Sequence, residues 1–577
     1  VTALLDAPPA GSAPAAAGAE QLSWVDRLVT PLPADRLRGW VVTLLIGGLA
    51  AYMRFHALGK LLWLRDPNNN KITGYLTGTY VDSGGCVRYY QDIFDETYYH
   101  HDSLSLLHHG VESDCTNTMA GFVVHPPLGK WSIAAGIKLF GDTPFGWRFS
   151  CALAGTLAVI VMIRLARRMF GSTLLGAIAG LLMSLDGLEF VQSRVGILDI
   201  FLMFFELVAL ACLVLDRDWG RRRLAERLDA GASNAFPGPR IGFRPWRLAT
   251  AVFLGAALAV KWDGLYVIPA VAALAFAWDV GLRRSARIPA PVRATIRKDW
   301  LGWLPTYILV PTATYTATWT GWFLSSNKWA WDRSNFQSQA TGVTYNRSGF
   351  FGSIKNWLSY QCDAYNFHKN LTDNNHITGG VAVPLVNFCR NSVSFHQGGT
   401  LHPYLSKPWS WFFLSRPVAL YYQAPPQGVD GCHTSLTQGG CSSEILDIGT
   451  PLIWWAALPA LVVVIGLWFA WRDWRAAMIL VVFAATFFPW VLFESRQMFF
   501  FYALTCLPLI VLALTMVAGL ALGPPGASLV RRRWGGAAVG TYMTFVAINF
   551  FFLLPILVGT TLSSQHWHWR IWFPGWV

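Results

Sequence analysis

The sequence predicts an all-α, polytopic membrane protein. Three observations carry that expectation. Hydrophobic residues make up 54% of the 577-residue chain and charged ones only 13%, whereas a soluble chain of this length divides into charge-rich domains. Apolar runs recur at about 17–25 residues, the length at which a helix crosses the hydrocarbon layer. Arginines cluster in short segments between those runs, at 164–168, 221–223, 472–475 and 531–533, as cytoplasmic loops require.

Taken in order, residues 1–38 read as a cytoplasmic tail. Its Ala-, Pro- and Gly-rich beginning is expected to be disordered and lacks a signal-peptide pattern. Arg27, Arg36 and Arg38 precede a first membrane helix at 40–58. The polar segment 60–130 then lies outside. Within it, 92–109 and 127–140 have the pattern of short helices on the membrane surface, the second with Pro127 in its first turn. Runs at 148–163, 171–188 and 199–215 cross in alternation and lead into the basic loop 216–247.

The apolar stretch 248–275 is interrupted by Lys261-Trp262-Asp263-Gly264. Because the basic loop 283–298 must also lie inside, two short helices with a tight outer turn are expected. One tilted helix holding a membrane-embedded Lys–Asp pair is the alternative. A span at 300–319 opens the longest polar stretch, 320–448, whose Trp and Tyr content suits an ordered outer domain better than a linker. Runs at 451–470, 476–491, 499–521 and 536–557 bring the expected total to about eleven helices. The expected organisation is tail 1–38, an N-terminal membrane module 39–319 carrying outer loop 60–130, an outer loop domain 320–448, and C-terminal helices with a Trp-rich outer tail, 449–577.

Composition also narrows function. The net charge of +13 sits between apolar runs, with no basic aromatic strand or zinc-finger spacing, which argues against nucleic acid. Polar residues gather in loops and at span ends, and no repeated halves are evident, which argues against a transporter or channel. Many of the 29 Trp and 18 Tyr residues lie at run ends, where an amphipathic ring suits the headgroup layer. Those in the polar loops are also able to stack on carbohydrate or lipid.

The nine cysteines divide in the same way. Cys151, Cys212 and Cys506 fall in apolar spans as small buried residues. Cys86, Cys115, Cys362, Cys389, Cys432 and Cys441 fall in the two outer loops, where an oxidising compartment favours up to about three disulfides. Their pairing is not fixed by the sequence, unpaired thiols are the alternative, and the spacing does not suit zinc.

The chemistry candidates begin with Asp95-Glu96. Adjacent carboxylates do not share one face of a helix, so one can meet a substrate while the other orients it. Asp95 is the candidate base, and Glu96 the group that positions the acceptor or binds donor hydroxyls; a solvated helix cap is the alternative. His125-Pro126-Pro127 is a stiff entry to the next run, with His125 and Lys130 able to face a phosphate or sugar; a structural turn competes with that reading. Arginine among apolar residues must reach water, pair with an acid or bind an anion. Arg148 is thus a phosphate candidate and Arg496 a further one. Arg194 and Asp199 either contact substrate or form a structural pair. His402 to Trp411 joins His402, Lys407 and Trp409 in a segment suited to closing over a glycosyl phosphate, or to anchoring the outer domain at the interface.

Together these motifs resemble the bacterial, actinobacterial-like polyprenyl-phosphate-mannose–protein O-mannosyltransferases. The matching segments are Phe94-Asp95-Glu96, His125 to Lys130, Gly146-Trp147-Arg148-Phe149, Arg194 to Asp199, Lys261 to Gly264 and His402 to Trp411, in order along the chain. The resemblance implies a C-type glycosyltransferase fold and transfer of mannose from polyprenyl-phosphate-mannose to Ser or Thr hydroxyls of exported proteins. It further implies inversion of the anomeric centre, a catalytic aspartate at Asp95 and a phosphate-associated arginine at Arg148. A related transferase acting on a glycolipid or polysaccharide is the alternative. The polar stretch 66–91 and the six outer cysteines depart from the family pattern, and the loops are too short for the β-trefoil domain of eukaryotic members. No Rossmann, Walker or haem motif is present, so a nucleotide sugar is not an evident donor. A divalent cation at the acidic pair is chemically possible; no cofactor is expected, because arginine can stabilise the leaving phosphate. The expected partners are the lipid-linked donor, exported polypeptides, membrane lipids and the export machinery, with the N-terminus cytoplasmic and the active site outside.

Overall fold

The computed structural model describes residues 23–31, 33–64, 75–81, 86–113, 121, 124–324, 336–337, 344–345, 349–370, 402–434, 439–493 and 496–577. The expected disordered start and much of the expected outer domain lie outside these residues.

Among the described residues, six helices are long and apolar enough to cross a membrane: Pro144–Phe170, Gly264–Ser285, Pro451–Trp471, Trp474–Leu492, Phe500–Leu522 and Leu529–Leu557. Two shorter apolar helices, Thr173–Ser184 and Pro245–Val260, accompany them. The expected count of about eleven is therefore not reached by length and composition. The reasons are local. Helix α1 (Arg36–Phe55) carries Arg36, Arg38 and Arg54. The run expected at 300–319 is broken into a π-helical turn, Ile296–Trp300, a three-residue piece and a helix, Thr306–Thr318, that contains Pro311.

The polar loop after α1 forms a hairpin of β1 (Thr79–Val81) and β2 (Val87–Tyr89). Helices α2 (Glu96–His109) and α3 (Leu128–Phe140) follow and pack on each other, close to the expected surface helices. Next come α4 (Pro144–Phe170), α5 (Thr173–Ser184), the short α6 (Gly187–Gln192), and α7 (Asp199–Asp229). Helix α8 (Pro245–Val260) returns along α7, and α9 (Gly264–Ser285) reverses again. The tight turn expected at Lys261 to Gly264 is present, which removes the single-helix alternative.

This up-and-down path gives the bundle two polar poles. At one pole, Arg244 and Arg247 pair with Asp216 and Asp279 at 2.7–3.2 Å, all four buried. Arg168 meets Asp218 at 2.7 Å, and Arg217 covers the Trp474 ring at 3.8 Å. The arginine-rich segments thus meet at one end. Asp199, Lys261 and Asp263 occupy the other. The 16 residues of α8 separate the poles by about 24 Å, at roughly 1.5 Å per residue.

Beyond the first membrane helices lie α10 (Thr306–Thr318), α11 (Gly349–Asn370) and a sheet close to the C-terminus. Its strand order is Val418–Gln423, Cys441–Asp447, Leu562–Ser563, all antiparallel. A Cys432–Cys441 disulfide closes the loop before the central strand. Cys86 and Cys362 are also disulfide-bonded, Cys115 and Cys389 lie outside the described residues, and Cys151, Cys212 and Cys506 are free and buried. The remaining long helices are α12 (Ala457–Trp471), α13 (Trp474–Leu492), α14 (Leu507–Leu522) and α15 (Leu529–Leu557), and a short helical turn, Ser564–His568, follows them.

Candidate active site

The acidic pair owes its geometry to Phe94. This residue adopts φ 50°, a left-handed backbone that costs an aromatic residue energy unless packing holds it. The packing is visible: the Phe94 ring meets His402, Phe499 and Phe501 edge-on, with centroids 6.0–6.1 Å apart. The chain turns there and places Asp95 at the N-cap of α2, without the side-chain cap bond that an N-cap aspartate usually makes.

The two carboxylates consequently diverge. Glu96 is fully buried and receives two parallel bonds from Arg148, Nε to Oε1 and Nη2 to Oε2, each 2.7 Å. The Gly196 N–H donates to Oε1 at 2.6 Å and the Ile93 N–H to Oε2 at 3.0 Å. Its acceptor capacity is taken up in joining α2 to α4 and to the loop before α7. Asp95 is half-buried, and no hydrogen bond to its carboxylate occurs among the described residues. Burial pushes its carboxyl up to about 6, with Lys261 opposing and Asp199 reinforcing that rise.

Around Asp95 the helix ends supply charge. Lys261 donates to Asp199 at 2.7 Å, both buried, and its ammonium lies 5.2 Å from the Tyr502 ring centroid. Arg496 donates through Nη2 to His368 Nδ1 at 3.0 Å and lies 5.6 Å from the same Tyr502 ring. Its Nε is buried without a hydrogen-bond partner among the described residues. His368 donates from Nε2 to the Val124 carbonyl at 3.0 Å, and its ring stands 5.3 Å from that of His125. Burial, then Arg496 and Lys261, pull His368 down to about 3 and His125 well below its ordinary value, so both rings are neutral. The neutral His368 can therefore accept from Arg496 and orient it. A carboxylate without hydrogen-bond partners among the described residues, within electrostatic reach of Lys261 and with Arg496 and its free Nε donor on the Tyr502 ring that Lys261 also meets, can take a proton from a hydroxyl while an anion is stabilised nearby.

The other candidates fall elsewhere. Lys130 is buried between Asp102, 3.1 Å, and Glu112, 2.8 Å, so it ties α3 to α2 and its following loop instead of facing a substrate. Arg148, expected at a phosphate, has two guanidinium nitrogens on Glu96. Arg194 and Asp199 do not pair: Arg194 Nη1 reaches the carbonyls of Met53, Arg54 and His56 at 2.8–3.0 Å, completing the C-terminal end of α1, while Asp199 holds Lys261. His402 packs on Phe94 and Phe499, beside the acidic pair. Lys407 caps the 3₁₀ turn Pro408–Phe413, on which Trp409 is 51% exposed.

Sequence reasoning did not single out His368 or His100. His100 lies between Asp92, 2.9 Å from Nδ1, and Asp142, 2.6 Å from Nε2, and stacks on Trp147 at 4.1 Å. Burial alone would lower it; the bonds to Asp142 and Asp92 prevail and raise it to about 9. No group of three His, Cys, Asp or Glu side chains suited to a metal ion occurs among the described residues.

A helical membrane bundle with this polar pole has the fold of a C-type glycosyltransferase. The solved S. cerevisiae protein O-mannosyltransferase Pmt1-Pmt2 complex bound to the sugar donor shares it, with a TM-score of 0.62, 15% identity, and coverage of 94% of this chain and 93% of that one. Residues 94–319 match the dolichyl-phosphate-mannose-protein mannosyltransferase family, and residues 385–576 match the C-terminal four TMM region of protein-O-mannosyltransferase. The polyprenol-phosphate-mannose–protein mannosyltransferase of Mycobacterium tuberculosis (strain H37Rv) is 38% identical over 549 residues, covering 94% of this chain and 93% of that protein. Its counterpart in Mycolicibacterium smegmatis (strain MKD8) is 36% identical, covering 94% of each. The chain belongs to the protein O-mannosyltransferase family.

Proposed function

We propose that this protein transfers mannose from polyprenyl-phosphate-mannose to Ser or Thr hydroxyls of exported polypeptides. The observation that carries the reading is the contrast within the acidic pair: Glu96 is saturated by Arg148 and backbone N–H groups, whereas Asp95 has no such partners among the described residues. Asp95 takes the hydroxyl proton as the acceptor oxygen forms its bond to the anomeric carbon. The bond from that carbon to the phosphate oxygen breaks on the opposite side, and its electron pair leaves with the polyprenyl phosphate. One displacement inverts the centre, from a β-linked donor to an α-mannoside. Arg496, aimed by His368, and the Lys261 ammonium stabilise the leaving phosphate. Arg148 acts through Glu96 by fixing the start of α2, so the phosphate role passes from Arg148 to Arg496.

The arginine-rich pole lies at the cytoplasmic face of the bacterial plasma membrane by the positive-inside rule. The N-terminus shares that face, and Asp95 and the C-terminus lie outside. There the donor headgroup meets acceptors still unfolded during export, which favours association with the export machinery. The test is a reconstituted reaction of purified protein with polyprenyl-phosphate mannose and a Ser/Thr peptide, read by mass spectrometry. A hexose added at a hydroxyl supports the reading. Transfer only to a glycolipid or polysaccharide acceptor rejects it in favour of the related lipid-sugar transferase.

A further inference from the structure

A second cleft lies at the arginine-rich pole, remote from Asp95. The α4–α5 turn and the turn joining α14 to α15 border a partly open cleft of about 380 Å³ there. Its wall is apolar, formed by Phe170, Leu174, Met516 and Leu520, and its rim carries Arg475 and Arg532. The Leu174 side is open, with that residue 57% exposed.

The two arginines differ in their surroundings. Arg475 is fixed by Asp473 through Nε and Nη2 at 2.7–3.1 Å. Arg532 is exposed and forms no side-chain hydrogen bond or ion pair among the described residues. Its neighbour Arg531 bonds the Leu520 carbonyl at 2.9 Å, which holds the turn against the apolar wall. The rim therefore keeps net positive charge above a hydrocarbon-lined floor.

Depth in the membrane follows from the same segment. Leu529, Val530 and Trp534 are 66–75% exposed on either side of Arg531 to Arg533. Exposed apolar and aromatic side chains interleaved with arginine belong at the headgroup boundary, where stems and rings meet lipid and guanidinium groups meet phosphate. The cleft opens at that level.

We propose that this cleft binds one anionic phospholipid, its phosphate at Arg532 and an acyl chain along Leu174 and Leu520. A free phosphate would leave the apolar wall empty. A zwitterionic headgroup would bring a second cation towards the arginines. The site is separate from the mannose-transfer chemistry.

Native mass spectrometry of the delipidated full chain, titrated with phosphatidylglycerol, phosphatidylcholine or inorganic phosphate, tests this. Wild-type protein is expected to retain one phosphatidylglycerol in preference to phosphatidylcholine. Arg532→Gln should weaken phosphatidylglycerol retention about fivefold, the effect of one interfacial cation. Leu174→Trp, at an exposed wall position, should reduce retention by filling the cleft. Equal retention of the two lipids overturns the proposal. So does a preference that survives Arg532→Gln, retention unaltered in Leu174→Trp, or displacement of the lipid by inorganic phosphate. Thermal unfolding of both variants, expected at the wild-type temperature, separates loss of the site from loss of the fold.

Discussion

If Asp95 is the base, the rate must follow its ionisation. With its carboxyl at about 6, ionisation is about 90% at pH 7 and about 9% at pH 5, so transfer should fall roughly tenfold between them. The sign follows from the chemistry: the active form is deprotonated, so activity is lost as pH falls through about 6. A second perturbation separates Asp95 from other acids. Asp199 reinforces the rise in Asp95, so Asp199→Asn should move the acid limb to lower pH. The limb's position is independent of its height, so a general loss of rate in this variant does not obscure the shift. The assay is kcat/KM for mannosyl transfer to a Ser/Thr peptide between about pH 4.5 and 8 at constant ionic strength, which reports the free enzyme. A flat profile, or an acid limb that Asp199→Asn moves upward, would refute the reasoning.

Other expectations follow from the same contacts. Arg148→Ala should destabilise the fold by about 3–5 kcal/mol, because it strands the buried Glu96 carboxylate; thermal unfolding should show partial recovery when Glu96→Gln is added, and an unchanged melting temperature in Arg148→Ala would contradict the pairing. Arg496→Gln should lower kcat/KM by roughly 10²–10³-fold through lost charge stabilisation while the unfolding temperature stays put; unchanged donor kinetics would remove Arg496 from the site. His100 is raised from 6.5 to about 9 by its two aspartates, so its contribution, about 3 kcal/mol, is complete below about 6.5 and lost as pH rises through about 9. Wild-type stability should therefore decline between those pH values, and His100→Asn should flatten the decline.

Residue type was more legible than partnership. Sequence placed Asp95 and Glu96 side by side but could not say which would be saturated, because the answer lies in Arg148 and Gly196, 52 and 100 residues further on. The buried cations illustrate the same limit. Arg194, Lys130 and Arg148 each had to find an anion or carbonyl, and the one chosen was set by which helix ends the fold brings together. His368 carried no local signal; its partners are Val124 and Arg496, 244 and 128 residues away. The turn at Lys261 to Gly264 was legible because the arginine-rich loops on either side had to share a face. The helix count was overestimated because hydropathy reads each apolar run as one continuous span: the run at 300–319 is split among a π-helical turn, a three-residue piece and a 13-residue helix, and the arginines of α1 lower the hydropathy of an otherwise apolar helix.

The claim on which the mechanism stands is most directly tested by single-turnover mannose transfer with purified Asp95→Asn. Its carboxylate has no hydrogen-bond partner among the described residues, so the variant should unfold at the wild-type temperature. Transfer should fall by roughly 10²–10⁴-fold, the contribution of a positioned base. A folded Asp95→Asn protein that transfers mannose at the wild-type rate would contradict the account.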